Sequence, residues 1–186
     1  MKICLFGGSF DPVHTGHLHI ATKAQQQLEL ERVVFLPAAR SPFKTSCSAM
    51  FSDAERLRIL RAATADLPWA EVSDADLQLP APSWSWRLVE LWKTRHPHAE
   101  LYWLLGTDQW EQLHRWARFD YLRENLSFII YHRGDTSLPP RPGVRSTVLS
   151  GELHPASSAA IRQALREGSP LPEDWIPPGV QPLLQH

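Results

Sequence analysis

Short apolar runs alternate with amphipathic stretches along the 186 residues of the chain. Residues 2–6 and 32–37 are short and rich in β-branched or aromatic side chains, as buried strands are, and Gly7 and Gly8 end the first of them. Between them a helical pattern begins at Thr15, and its inner face carries Leu18, Ala21, Ala24, Gln25 and Leu28. A strand, a helix and a second strand form a βαβ unit, which predicts a parallel sheet.

The same alternation continues through the rest of the chain. Helices are predicted at 53–66, 84–95, 108–116, 121–125 and 157–167, with Asp53 as the N-cap of the first. Strands are predicted at 71–73, 100–105, 127–132 and 145–149, the last at a sheet edge. The pattern predicts a single doubly wound α/β domain over residues 1–186. Its proline-rich tail, 169–186, is expected to pack on it as turns or one short helix.

Composition narrows the classes of function. The 19 basic and 20 acidic residues give a formal net charge of -1, which argues against binding duplex DNA or an anionic membrane. The eight tryptophans allow a single-stranded nucleic-acid binder, but such a protein needs a basic groove. Cys4 and Cys47 form no CxxC or zinc spacing, so we expect a reduced, cytoplasmic location. No stretch approaches the roughly 18 apolar residues needed to span a membrane, which predicts a soluble protein.

Candidate chemistry lies in the loop that follows the first strand, which reads GGSFDPVHTGH. Neither a GxGxxG fingerprint nor a Walker-type loop is present. His14 and His17 stand three residues apart at the start of a helix, where the dipole and free N–H groups attract anions. This arrangement favours a phosphate clamp. The alternatives are cap and core histidines, or a zinc site that would need further ligands. Asp74 and Asp76 form a DxD pair that could suggest a metal site, but they are interpreted as residues of a turn and of the outer shell of the site.

The loop GGSFDPVHTGH resembles the N-terminal signature of the nucleotidyltransferase superfamily, with its HxGH motif. GGSFDP is similar to the start of the bacterial nicotinate-mononucleotide adenylyltransferases. Four further blocks follow in the order of that family and extend the resemblance to about residue 168: SPFK at 41–44, PSWS at 82–85, GTD at 106–108 with LHRW at 113–116, and ASSAAIR at 156–162.

The resemblance implies a Rossmann-like nucleotidyltransferase fold and transfer of AMP from ATP to nicotinate mononucleotide in NAD biosynthesis. The attacking phosphate oxygen is already an anion, so the site must position the reactants and neutralise charge. Magnesium is expected to arrive with ATP, held mainly by phosphate oxygens and water, with no metal site on the protein. The implied catalytic residues are His14, His17, Lys44 and Arg162. The implied ATP and phosphate contacts are Gly7, Gly8, Ser9, Phe10, Gly106, Asp108, Ser157 and Ser158. The implied mononucleotide contacts are Ser85 and Trp116.

Several alternatives stay open at this point. The acceptor could instead be nicotinamide mononucleotide or a phosphopantetheine-like molecule, because the preference for nicotinate rests on the resemblance. Phe43 and Ala159 replace the family's histidine and threonine, so a non-catalytic nucleotide-binding protein is a further alternative. Asp108 suits a helix N-cap as well as ribose hydroxyls. The expected partners are small-molecule substrates, without nucleic acid or membrane, and the oligomeric state is left open.

Overall fold

In the computed structural model, the described residues are 1–39, 49–80, 82, 84–132, 138, 141–149, 151–152 and 154–184. Within these ranges, six strands form one parallel sheet in the order β3-β2-β1-β4-β5-β6. The strands are β1 (Lys2–Gly8), β2 (Arg32–Pro37), β3 (Ala70–Val72), β4 (Glu100–Gly106), β5 (Ser127–Tyr131) and β6 (Ser146–Val148). The predicted α/β fold with a doubly wound parallel sheet is therefore confirmed.

Helices cover the sheet on its two faces. They are α1 (Thr15–Leu28), α2 (Asp53–Thr64), α3 (Ala75–Gln78), α4 (Ser85–Arg95), α5 (Thr107–Glu111), α6 (Phe119–Asn125) and α7 (Ser158–Glu167). Short 3-10 helices add Leu113–Arg115, Glu173–Trp175 and Gln181–Leu183. None of the helices among the described residues combines the length and the apolar character needed to cross a membrane.

Alternate residues of each strand enter two separate hydrophobic cores. Cys4 and Phe6 of β1 belong to the core that α1 and α2 cover, whereas Ile3 and Leu5 belong to the core that contains α4 and α6. This is the pattern of strands that are buried on both faces. Burial raises the pKa of the Cys4 thiol, so this cysteine serves as a small core residue.

Two local predictions about the helices α2 and α5 were wrong. Ser52, not Asp53, is the N-cap of α2, because its hydroxyl accepts from the N–H of Glu55 while the Glu55 carboxylate accepts from the N–H of Ser52. The predicted helix 108–116 is an α-helix that ends at Glu111, followed by a 3-10 turn. Its apolar anchors, Trp110 and Leu113, are three residues apart, which is the period of a 3-10 helix.

The C-terminal tail forms the two short 3-10 helices after α7. Val180 and Leu184 are buried in the core beside α1. The tail therefore contributes apolar side chains to the core that supports the α1 face of the sheet.

Candidate active site

A cleft of about 410 Å³ opens at the carboxyl ends of the central strands. The strand order reverses between β1 and β4, which is where doubly wound sheets bind ligands. The β1–α1 loop, the first turns of α4 and α7 and the loop before α6 contribute its walls. The predicted site residues that line it are Gly7, Gly8, Ser9, Phe10, His17, Ser85, Trp116, Ser158 and Arg162.

Gly7 and Gly8 leave room for two aromatic rings of the cleft. A Cβ atom at Gly7 would lie 3.0 Å from Cζ2 of Trp103, and one at Gly8 would lie 3.0 Å from Cζ of Phe10. The family resemblance implied that these glycines contact ATP. The structure adds a requirement of the chain's own packing, because side chains at either position would displace these rings.

The start of α1 carries two stacked imidazoles. The ring centroids of His14 and His17 are 3.8 Å apart, and His14 is only 5% exposed. The backbone N–H of His14 donates to Nδ1 of His17 at 3.3 Å, which assigns the proton of a neutral His17 ring to Nε2. Phe10 packs edge-on against His17 at a centroid distance of 5.0 Å. His17 is thus oriented by two neighbours and is an N–H donor on the wall of the cleft.

Gly16 is the glycine of the HxGH motif, and it allows the close approach of His14 and of the chain before α7. A Cβ atom at this position would lie 2.9 Å from Nδ1 of His14 and 3.3 Å from the carbonyl oxygen of Ala156. The second of these contacts is with backbone, which has little freedom to move. Gly16 is therefore needed where α1 meets the segment that leads into α7.

We expect Gly16→Ala to lower the free energy of unfolding by about 1–3 kcal/mol, because overpacking outweighs the higher helix propensity of alanine. Urea denaturation measures this. In a His14→Ala background the same substitution should cost less, since one of the two clashing groups is gone. A Gly16→Ala protein as stable as the wild type would contradict this explanation.

The N-terminus of α7 is attached to the same loop. Ser157 is the N-cap, and Oγ of Ser158 donates to the carbonyl of Pro12 at 2.9 Å. One turn further, Nη1 of Arg162 donates to the carbonyl of Asp11 at 2.7 Å and lies 3.8 Å from its carboxylate. These bonds hold the N-termini of α1 and α7 on one wall. Positive ends of helix dipoles, free N–H groups and a guanidinium together attract anions.

Arg56 is a site residue that sequence reasoning missed. Its guanidinium is buried, donates through Nη1 to the carbonyl of Ser9 at 2.6 Å, and donates through Nη2 to the carbonyl of Ala38 at 2.9 Å. Nη2 also lies 2.6 Å from the carboxylate of Asp53. Arg56 therefore joins the loop after β1 to the chain that leaves β2.

Two carboxylates complete this anchoring. Asp11 accepts from the N–H groups of Met50 and Phe51 at 3.0 and 2.9 Å, and Asp76 accepts from the N–H of Ala39 at 3.2 Å. Asp76 lies in the short helix α3 and not in a turn, is buried, and lines the cleft. Buried carboxylates that accept backbone N–H bonds fix the main chain of the cleft wall.

The predicted mononucleotide contacts, Ser85 and Trp116, lie on two different elements. Ser85 is the first residue of α4, with Trp84 as its N-cap, and both line the cleft. Trp116 follows the 3-10 helix Leu113–Arg115 and packs edge-on against Trp103, with ring centroids 5.7 Å apart. Trp103 is thus a second residue that the motifs did not reveal. It occupies the space left by Gly7 and orients the ring of Trp116.

Other predicted residues lie elsewhere. Gly106 is buried as the N-cap of α5, so the alternative that Asp108 is the N-cap was wrong. Asp108 is exposed in the first turn of that helix. The described residues that line the cleft do not include Gly106 or Asp108. They do not include His14 or Ser157 either. Lys44 lies outside the described residues.

Comparison with known proteins identifies the class. The model of the cytidylyltransferase-like family matches residues 5–164, which include the HxGH loop and most of α7. The structure of Plasmodium falciparum nicotinic acid mononucleotide adenylyltransferase complexed with NaAD superposes with a TM-score of 0.78 at 18% identity. The match covers 98% of this chain and 94% of that one. At this level of identity the likeness concerns the fold.

Curated relatives identify the family more narrowly. A protein of Methylacidiphilum infernorum is 34% identical over 91% of this chain and 83% of its own length. One of Neisseria meningitidis serogroup C is 36% identical over 88% of each chain. Both bear the name "Probable nicotinate-nucleotide adenylyltransferase". The chain belongs to the nicotinate-nucleotide adenylyltransferase family, within the cytidylyltransferase-like class, as the motifs predicted.

Proposed function

We propose that this chain transfers the adenylyl group of ATP to nicotinate mononucleotide, forming nicotinate adenine dinucleotide and pyrophosphate. An oxygen of the mononucleotide phosphate forms a bond to the α-phosphorus of ATP. The bond from that phosphorus to the oxygen that bridges the α- and β-phosphates breaks, and pyrophosphate leaves with the electron pair. No proton has to be removed from the nucleophile, so the protein's task is to align the two phosphates and offset their charge.

The observation that carries this proposal is one cleft with two chemically different walls. One wall combines His17, Arg162 and the N-termini of α1 and α7, and suits phosphates. The carbonyl oxygens of residues 9, 11 and 12 in this wall accept hydrogen bonds from Arg56, Arg162 and Ser158. These donors reduce the negative partial charge that would repel a triphosphate.

The other wall suits a flat ring that carries an anion. The ring of Trp116 offers a stacking surface for the pyridine ring of the mononucleotide. The first turn of α4, at Ser85, offers backbone N–H groups and the positive end of a dipole to the carboxylate. The names of the curated relatives support nicotinate as the acceptor.

The remaining roles belong to the same proposal. His14 supports His17, Gly7 to Phe10 present backbone N–H groups, and Ser157 and Ser158 hold the α7 terminus. Contacts of Gly106 and Asp108 with ATP stay predictions from the sequence. Magnesium enters as part of the ATP substrate, through phosphate oxygens and water. Lys44, the small-molecule partners and the cytoplasmic location stay predictions from the sequence.

The test is pyrophosphate release from ATP and magnesium with each candidate acceptor. We expect kcat/KM for nicotinate mononucleotide to exceed that for nicotinamide mononucleotide by about 30-fold or more, the value of one charge-assisted hydrogen bond. Equal or reversed preference would contradict the acceptor. Turnover with a phosphopantetheine substrate alone would do the same. No turnover with any acceptor, despite ATP binding, would contradict the reaction itself.

A further inference from the structure

An arginine that none of the motifs contains joins the two elements of the ring-binding wall, α4 and the start of α6. Cζ of Arg118 lies 4.5 Å from the centroid of the Trp86 ring and 5.0 Å from that of Tyr121. Trp86 belongs to α4, and Arg118 and Tyr121 belong to the start of α6. A guanidinium over an indole or phenol face is attracted by the ring electrons, and the planar groups also stack.

This contact stands directly beside the proposed ring-binding residues. Trp86 follows Ser85 in α4, and Arg118 comes two residues after Trp116. Ser85, Trp116 and Ala117 line the cleft. The contact between Trp86 and Arg118 therefore links the first turn of α4 to the residues that follow Trp116.

The backbone of Arg118 supports a dedicated role. As the N-cap of α6 it adopts φ 55° and ψ 42°, the left-handed region that a residue with a Cβ atom rarely occupies. Its side chain is exposed, so burial does not enforce this conformation. Arg87 ties Trp86 to the chain that precedes α4. Its Nη1 donates to the carbonyl of Pro80 at 2.6 Å, and its Cζ lies 5.4 Å from the centroid of the Trp86 ring.

We propose that Arg118 is a positioning residue that sets the width of the acceptor pocket by stacking on Trp86 and Tyr121. It acts through Ser85 and Trp116 and does not touch the reacting atoms. Loss of the stack should loosen the grip on the pyridine ring and leave the phosphate wall, built on α1 and α7, unchanged. This inference rests on the proposed function.

Arg118→Gly is the most informative variant, because glycine keeps the left-handed backbone without strain and removes only the side chain. We expect KM for nicotinate mononucleotide to rise about 3- to 10-fold, the value of one such stack, with kcat and KM for ATP within about twofold of wild type. Trp86→Leu should raise the same KM. The double variant should raise KM by less than the product of the two single effects, because both changes remove the shared Arg118–Trp86 contact.

A matched control is Arg95→Ala, which removes a similar cation–π contact at the other end of α4. Cζ of Arg95 lies 5.5 Å from the centroid of Trp92. We expect it to change neither KM. A similar rise in the acceptor KM in Arg95→Ala would contradict the proposal, and so would an unchanged acceptor KM in Arg118→Gly. Equal rises in both KM values, with a lower melting temperature, would indicate a general structural role and would also contradict it.

The wild-type protein separates this proposal from the one on which it rests. Turnover with nicotinate mononucleotide in the wild type, with an unchanged KM in Arg118→Gly, contradicts the role of Arg118 alone. Absence of turnover in the wild type contradicts the proposed function first. In that case the role of Arg118 in acceptor binding is contradicted with it.

Discussion

Replacing His17 by alanine is expected to lower kcat about 10²- to 10³-fold, the usual effect of removing one preorganised donor from a developing anion. The free energy of unfolding should fall by only about 1 kcal/mol, since the variant loses one hydrogen bond from the His14 N–H and some ring packing. The difference arises because, in the proposed reaction, the Nε2–H of His17 donates to negative charge that develops in the transition state. KM for ATP should change much less than kcat.

His19→Ala is the matched control on the same helix. His19 bonds through Nε2 to the carbonyl of Glu152 at 3.0 Å and is not among the residues described as lining the cleft. We expect kcat within about twofold of wild type for this variant. Steady-state kinetics and urea denaturation on both proteins provide the comparison. If His17→Ala lost stability and activity in the same proportion, or if His19→Ala lost as much activity, the donor role of His17 would be refuted.

The strands β1, β2, β4 and β5 were predictable because each is a short apolar run with polar or glycine-containing ends. The second strand, 32–37, has the predicted bounds. β1 extends two residues further than predicted, because Gly7 and Gly8 pair with Leu36 and Pro37 of β2. Such extension depends on the neighbouring strand and cannot be inferred from the local pattern of side chains.

The motif residues of the cleft were found because they lie in contiguous blocks, such as the loop from Gly7 to His17. The anchoring contacts that hold these blocks in place were not predicted. Arg56, Asp11 and Asp76 are buried, whereas charged residues in a sequence are normally expected at the surface. Their partners lie far away in the chain: Arg56 contacts Ser9 at a separation of 47 residues. Only the tertiary structure brings these groups together.

Arg56→Met is expected to lower the free energy of unfolding by about 2–4 kcal/mol, because the half-buried carbonyl groups of Ser9 and Ala38 lose their charged donor. Asp53 contributes little to this loss, since its carboxylate is 59% exposed and stays solvated. We also expect kcat/KM of the folded protein to fall about 10²-fold, since Ser9 belongs to the loop that we propose aligns the phosphates. Arg56→Lys should have a free energy of unfolding and a kcat/KM between those of the wild type and Arg56→Met, because one ammonium cannot span the same three acceptors.

The experiment combines urea denaturation with kinetics at a temperature where each variant is folded. Arg58→Met, an exposed arginine on the same helix, is the matched control and should change the free energy of unfolding by less than about 0.5 kcal/mol. If Arg56→Met were no more destabilising than Arg58→Met, the buried hydrogen bonds would not have the assigned value. If stability fell but kcat/KM of the folded protein stayed at the wild-type level, Arg56 would support the fold without positioning the loop. A loss of both in Arg56→Met, with partial recovery in Arg56→Lys, would tie the geometry of the phosphate wall to a residue outside every motif.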